Sequence, residues 1–134
     1  MAGSPTALDV ARTYFDALAA KDFGTVAGLF AEEIVWHQPG DHQFSGVRHG
    51  SDAVGQILGG MMTVSEGTFA LELTGPLMVN GALVAAPIHF SGKREGASMS
   101  QDGVDVLRID GDRVAEVWLY SSEPAAEDAF WGAG

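Results

Sequence analysis

Near Thr68 the hydrophobic period of the chain changes from helical to alternating, and that change limits the folds open to it. Before it, Ala11, Tyr14, Phe15 and Leu18 recur at helical spacing behind a Thr6 cap, which predicts a helix over residues 7–20. A shorter helix starts near Asp22 and carries Phe23, Val26, Leu29 and Phe30; Ile34 to His37 then switch to strand character. Ser51 is the expected cap of a third helix, with an apolar face of Val54, Ile57, Leu58 and Met61 and an end weakened by Gly59-Gly60. After Thr68 the pattern alternates: Phe69, Leu71 and Leu73 against Thr68, Glu72 and Thr74. Asn80-Gly81 and Asp110-Gly111 are two-residue hairpin signals, and "GKREG" at 92–96 reads as a longer polar turn. This order predicts an α+β fold, three N-terminal helices packed on one face of a curved, mainly antiparallel sheet.

A chain of 134 residues, 46% of them hydrophobic, has room for one core, so residues 1–134 are expected to form a single domain. Seven Lys and Arg against eighteen Asp and Glu leave a formal net charge of −11. Such a surface repels nucleic-acid phosphates and anionic lipid headgroups, and neither partner is expected. The absence of cysteine excludes disulfides, thiolate metal sites and a cysteine nucleophile. The first fifteen residues contain a Ser-Pro break and a charged helix where a secretory signal needs an unbroken apolar stretch, so a cytoplasmic location is expected. The tail from Ser122 is acidic and Ala-rich, but Phe130 and Trp131 predict that its end docks on an apolar surface.

His37, in "VWHQPG", stands where the first strand stops ahead of a Pro-Gly turn. A histidine there either presents a proton-transfer group to a cavity or caps the turn. The last hairpin sets out further candidates. With Asp110-Gly111 as the turn, Asp105 faces Glu116, Gly103 faces Trp118 and Gln101 faces Tyr120, all on one side of the sheet. Val104, Val106, Ala115, Val117 and Leu119 then share the other side, an apolar surface for a second subunit. Polar groups among large rings suit the lining of a ligand pocket. Alternatively, Asp105 and Glu116 point to water and the apolar side is the core. If the two carboxyls are enclosed together, one of them must keep its proton near neutral pH. His89, in "APIHFSG", either lines the pocket or fills its wall, and Trp118 offers a floor for a flat ligand. His37, His42 and His49 match no common zinc spacing, and no metal or other cofactor is expected.

"VWHQPG", "FSGVRHGSDAV" and "DVLRIDGDRVAEVW" together resemble the SnoaL-like branch of the NTF2-like superfamily, which is related in fold to ketosteroid isomerase. The likeness in order and spacing runs over roughly residues 7 to 120. It implies a cone-shaped pocket between a concave sheet and the helices, in a homodimer. It also implies roles for particular residues. His37 stands where the isomerase pattern has its carboxylate base, Tyr14 matches an oxyanion-holding tyrosine in the first helix, and Asp105 matches a protonated aspartic acid in a later strand. The superfamily's epoxide hydrolase pattern needs an Asp-Arg-Asp network, for which Asp102, Asp105 and Arg108 are available; strand alternation sets Asp105 and Arg108 on opposite faces.

These readings converge on a small cofactor-independent enzyme working by general acid/base catalysis on an apolar, carbonyl-bearing, polyketide-like molecule, as an isomerase or a cyclase. His37, Asp105 and Tyr14 are the expected catalytic groups, with Trp118, His89, Glu116, Tyr120 and Gln101 holding substrate. The alternative is a protein of the same fold that binds such a molecule without changing it.

Overall fold

The computed structural model describes residues 5–133. Met1 to Ser4 and Gly134 lie outside the described residues, and with them the very start of the N-terminal segment read for a secretory signal and the outer limits of the expected 1–134 domain. Helix α1 (Ala7–Ala19) begins in a capping box, with Thr6 accepting from the Asp9 N–H and the Asp9 carboxylate accepting from the Thr6 N–H. Asp22 caps α2 (Phe23–Leu29), which runs directly into β1 (Phe30–Gln38). Then come β2 (Gly46–His49) and α3 (Ser51–Val64), whose N-cap is Gly50 with no side-chain cap bond, rather than the expected Ser51. The remainder is β3 (Ala70–Leu73), β4 (Met78–Asn80), β5 (Leu83–Arg94), β6 (Ala97–Asp110), β7 (Arg113–Ser121) and α4 (Pro124–Trp131). The class is the expected α+β, with a fourth helix where the sequence showed only an apolar tail end.

The sheet is curved and unclosed, ordered β2-β1-β7-β6-β5-β3, with β4 paired to β5. Every pairing is antiparallel except β1 with β7. Its inner face carries Trp36, Val84, Ile88, Phe90, Leu107 and Val117, packed with Tyr14 and Phe15 of α1 and Ile57 and Met61 of α3 in one core. The docked tail is part of it, with Phe130 and Trp131 almost completely buried.

One hairpin differs from expectation in a way that decides the site. Asp110 pairs with Arg113, so the β6–β7 turn is Gly111-Asp112, one residue later than expected, and Gly111 adopts the positive φ of 63° that the turn requires. That alone moves the register by two and preserves the faces. Between the pairs Ile109–Val114 and Arg108–Glu116, however, β7 carries one extra residue, Ala115, as a bulge. The total displacement is odd, so the side chains of β7 exchange faces relative to β6. Asp105 therefore lies opposite Leu119, Gly103 opposite Ser121 and Arg108 opposite Glu116. The expected pairs Asp105–Glu116, Gly103–Trp118 and Gln101–Tyr120 do not form. Asp105 shares the inner face with Val117 and Leu119, while Glu116, Trp118 and Tyr120 share the outer face with Val104 and Val106. The other turns are tight as well: Glu95-Gly96 closes β5–β6 where five residues were expected, and Gly81-Ala82 closes β4–β5.

Candidate active site

Between the inner face and the helices lies a cavity of about 50 Å³, lined by Leu18, Trp36, Leu58, Met61, Phe90 and Leu119 among other apolar residues. That is space for a few water molecules, so a larger ligand must displace flexible side chains such as Met61. The polar groups in this wall are few: Tyr14 from α1, Gln38 from β1, Asp105 from β6, Ser121 at the end of β7 and Glu127 from α4, with Tyr120 at the rim. Asp105 is 2% exposed and Tyr14 1%. Neither side chain makes a hydrogen bond among the described residues. Polar groups so buried normally have partners, and two that face a cavity unpaired are free to bind a ligand.

Their proton affinities follow from the burial. Removal from water pushes the Asp105 carboxyl up to about 8, assisted by the negative charge of Glu127, so that it is mostly a neutral acid at pH 7. Burial, and secondarily Asp105, also raises the Tyr14 hydroxyl well above its ordinary value, so it remains a hydrogen-bond donor. Glu127 is raised by burial as well, but less freely, because its carboxylate accepts from Ser121 Oγ at 2.6 Å and Trp131 Nε1 at 3.3 Å. The two carboxyls of the cavity thus stand in different surroundings, Asp105 without a hydrogen bond and Glu127 accepting two. Gln38 accepts from Trp36 Nε1 at 2.9 Å, which leaves its NH₂ end to donate.

Gln101 is buried but does not line the cavity. Its amide donates to the Glu123 carbonyl at 3.1 Å and accepts from the Glu123 N–H at 2.9 Å, so both ends are spent on fixing the backbone where α4 starts. Its expected contact with substrate is replaced by a positioning role for the helix that carries Glu127.

The remaining expected site residues, apart from Tyr120 at the cavity rim, stand on the outer face. His37 does project to the side of Val35 and away from Trp36, but that side is turned from the cavity, and Trp36 and Gln38 are the inward residues of β1. Its ring stacks on Trp118, with centroids 5.3 Å apart and planes at 4°, and its Nε2 lies 2.7 Å from Glu116 Oε2. Arg108 Nε donates to Glu116 Oε1 at 3.3 Å, and the bond from His37 followed by that from Arg108 holds the Glu116 carboxyl below its usual range. So His37, Glu116 and Trp118, expected in the pocket, form an outer-face cluster, and Arg108 belongs to it rather than to a network with Asp105. His89 also faces outward, bonded to Asp102 and Ser100. Tyr120 is 58% exposed. Among the described residues no group of histidines and carboxylates has the geometry to hold a metal ion.

Sequence reasoning missed Glu127, Ser121 and Gln38. The signal for Glu127 was present: Glu127, Phe130 and Trp131 stand at i, i+3 and i+4 and share one helical face, which puts a carboxylate on the stripe that docks.

The family model of the SnoaL-like domain matches residues 11–117. A crystal structure of a Xanthomonas campestris protein of unknown function with a cystatin-like fold superposes with a TM-score of 0.91 at 42% identity, covering 95% of this chain and 98% of that one. A Pseudomonas putida protein named as a candidate polyketide cyclase shares the fold at 18% identity and a TM-score of 0.68, over 92% of this chain and 97% of that one. An uncharacterized Mycobacterium tuberculosis protein is 28% identical over 124 residues, 92% of this chain and 95% of the relative.

Proposed function

Since the chain belongs to the SnoaL-like domain family, we propose that its cavity is the active site of an acid/base enzyme that isomerises or cyclises a small, apolar, carbonyl-bearing molecule without a cofactor. The observation that carries this is the unequal pair of carboxyls in one mostly apolar chamber, a neutral Asp105 with no hydrogen bond and a Glu127 whose carboxyl accepts from Ser121 and Trp131. Glu127 takes the base role expected of His37. It removes a proton next to the substrate carbonyl, the electron pair of that C–H bond forms a C=C bond, and the carbonyl π pair moves onto the oxygen. Asp105 and Tyr14 donate hydrogen bonds to the resulting enolate, where donors aimed at developing charge contribute most. Protonated Glu127 then returns its proton to a second carbon, which is isomerisation, or the enolate carbon attacks another carbonyl of the substrate and the alkoxide so formed takes the proton from Glu127, which is cyclisation. The fold shared with the candidate polyketide cyclase supports the second outcome. A substrate bearing a carboxylate or phosphate is disfavoured, because two carboxyl groups and no Lys or Arg line the cavity.

Exchange of the acidic C–H protons of apolar ketones and 1,3-diketones into heavy water, followed by NMR, tests the reading. Glu127→Gln is expected to slow protein-catalysed exchange by roughly 10²–10⁴ while ligand affinity changes little. His37→Gln, outside the cavity, is expected to exchange at the parent rate. Binding without exchange in the parent protein identifies the non-catalytic alternative.

A further inference from the structure

We propose that Ser100, His89 and Asp102 form a second, surface nucleophilic site, in which Ser100 is acylated by small activated carboxylic esters. Ser100 Oγ lies 2.7 Å from His89 Nε2, and Asp102 Oδ1 lies 2.9 Å from His89 Nδ1. The sheet itself produces this arrangement. His89 on β5 is directly opposite Asp102 on β6, and the neighbouring pair Ser91–Ser100 places Ser100 diagonally from it on the same face. A carboxylate on Nδ1 fixes the proton there and leaves Nε2 as the acceptor for the serine hydroxyl, the relation of nucleophile, base and orienting acid that is recognised by geometry rather than by sequence order.

The site is separate from the cavity and open to solvent. The Asp102 side chain is 75% exposed and that of His89 34%. The trio lies where β7 has ended, since the last pair of β6 with β7 is Gly103–Ser121. Ser100 also lines a groove with Ser91, Ser98 and Lys93, and Lys93 sits diagonally from it in the register, so a flexible ammonium is in range of the charge that develops during attack.

The chemistry balances with an ester and water alone. His89 Nε2 takes the Ser100 proton as Oγ bonds to the acyl carbon and the carbonyl pair moves to oxygen. Collapse of that intermediate breaks the bond to the leaving group, which departs with the proton from His89. Water then attacks the acyl-serine, again giving a proton to His89, and the acyl–Oγ bond breaks as His89 returns that proton to Ser100 Oγ, which releases the acid. The acyl-serine is the species to detect.

The test incubates the purified protein with p-nitrophenyl acetate, follows nitrophenolate release and locates the acetyl group by peptide mass spectrometry. The expected result is an acetyl group on Ser100, absent in Ser100→Ala, and formed about 10²-fold more slowly in His89→Gln, with Asp102→Asn between His89→Gln and the parent. Circular dichroism of each variant verifies the fold. Acetylation that falls only on Lys93 or other residues, or Ser100 labelling unchanged by His89→Gln, overturns the proposal.

Discussion

Two carboxyl groups sharing an apolar cavity make the protein's stability depend on pH in a defined direction. Asp105 holds its proton in the folded chain up to about pH 8, whereas an unfolded chain releases it near pH ~4. The folded state therefore binds the extra proton between these values. Its stabilisation is fully present below the unfolded pKa and is lost as pH rises through the folded one. Glu127, raised in the same direction, adds to the same slope. Asp105→Asn keeps the shape of the neutral acid and cannot ionise. Its urea midpoint is expected to fall less between about pH 5 and about pH 8.5 than that of the parent, and an equally steep fall contradicts a buried, protonated Asp105. At this scale the sequence was half legible. Tyr14 and Asp105 were identifiable from their place in the pattern, but the partner of Asp105 was not, because no local rule says that a tail glutamate docks inward.

The elements explain which parts could be read in advance. α1 announces itself by its capping box and apolar spacing, and the long strands by their alternation, since both signals lie within a few residues of chain. The faces of β7 do not, because one extra residue at Ala115 reverses them and nothing near it marks a bulge. That bulge sent Glu116, Trp118 and His37 to the outside. α4 was legible only as two aromatic residues, yet it supplies a wall of the site. Arg94 donates to the Phe130 and Ala129 carbonyls, Gln43 to the Trp131 carbonyl, and Gln101 clamps the start of the helix. Trp131, 2% exposed, packs against Phe44, Phe69 and Phe130 and bonds Glu127. Trp131→Ala is expected to cost about 3–5 kcal/mol in urea unfolding and to release Glu127 from its fixed position. A loss under about 1 kcal/mol means that α4 is not docked as described.

For the whole molecule, the part of the outer face around β1, β2 and β7 remains to be covered. Val47, Val104 and Tyr120 are 53%, 40% and 58% exposed there, beside the stacked His37 and Trp118. A second copy of the chain is the expected cover, so light scattering should give a dimer at micromolar concentration. Val104→Arg should disperse it with the fold intact, whereas Val117→Arg, at a fully buried position, should unfold the chain; a parent protein that is monomeric contradicts this. No described helix is long and apolar enough to cross a membrane. The central claim, a neutral Asp105 beside a second carboxyl group in the cavity, is tested most directly by following the Asp105 carboxyl carbon by NMR from about pH 4 to about pH 10. The expected midpoint is about 8, moving lower in Glu127→Gln as the neighbouring charge is removed; a midpoint near the ordinary value of ~4, unmoved by that substitution, contradicts it.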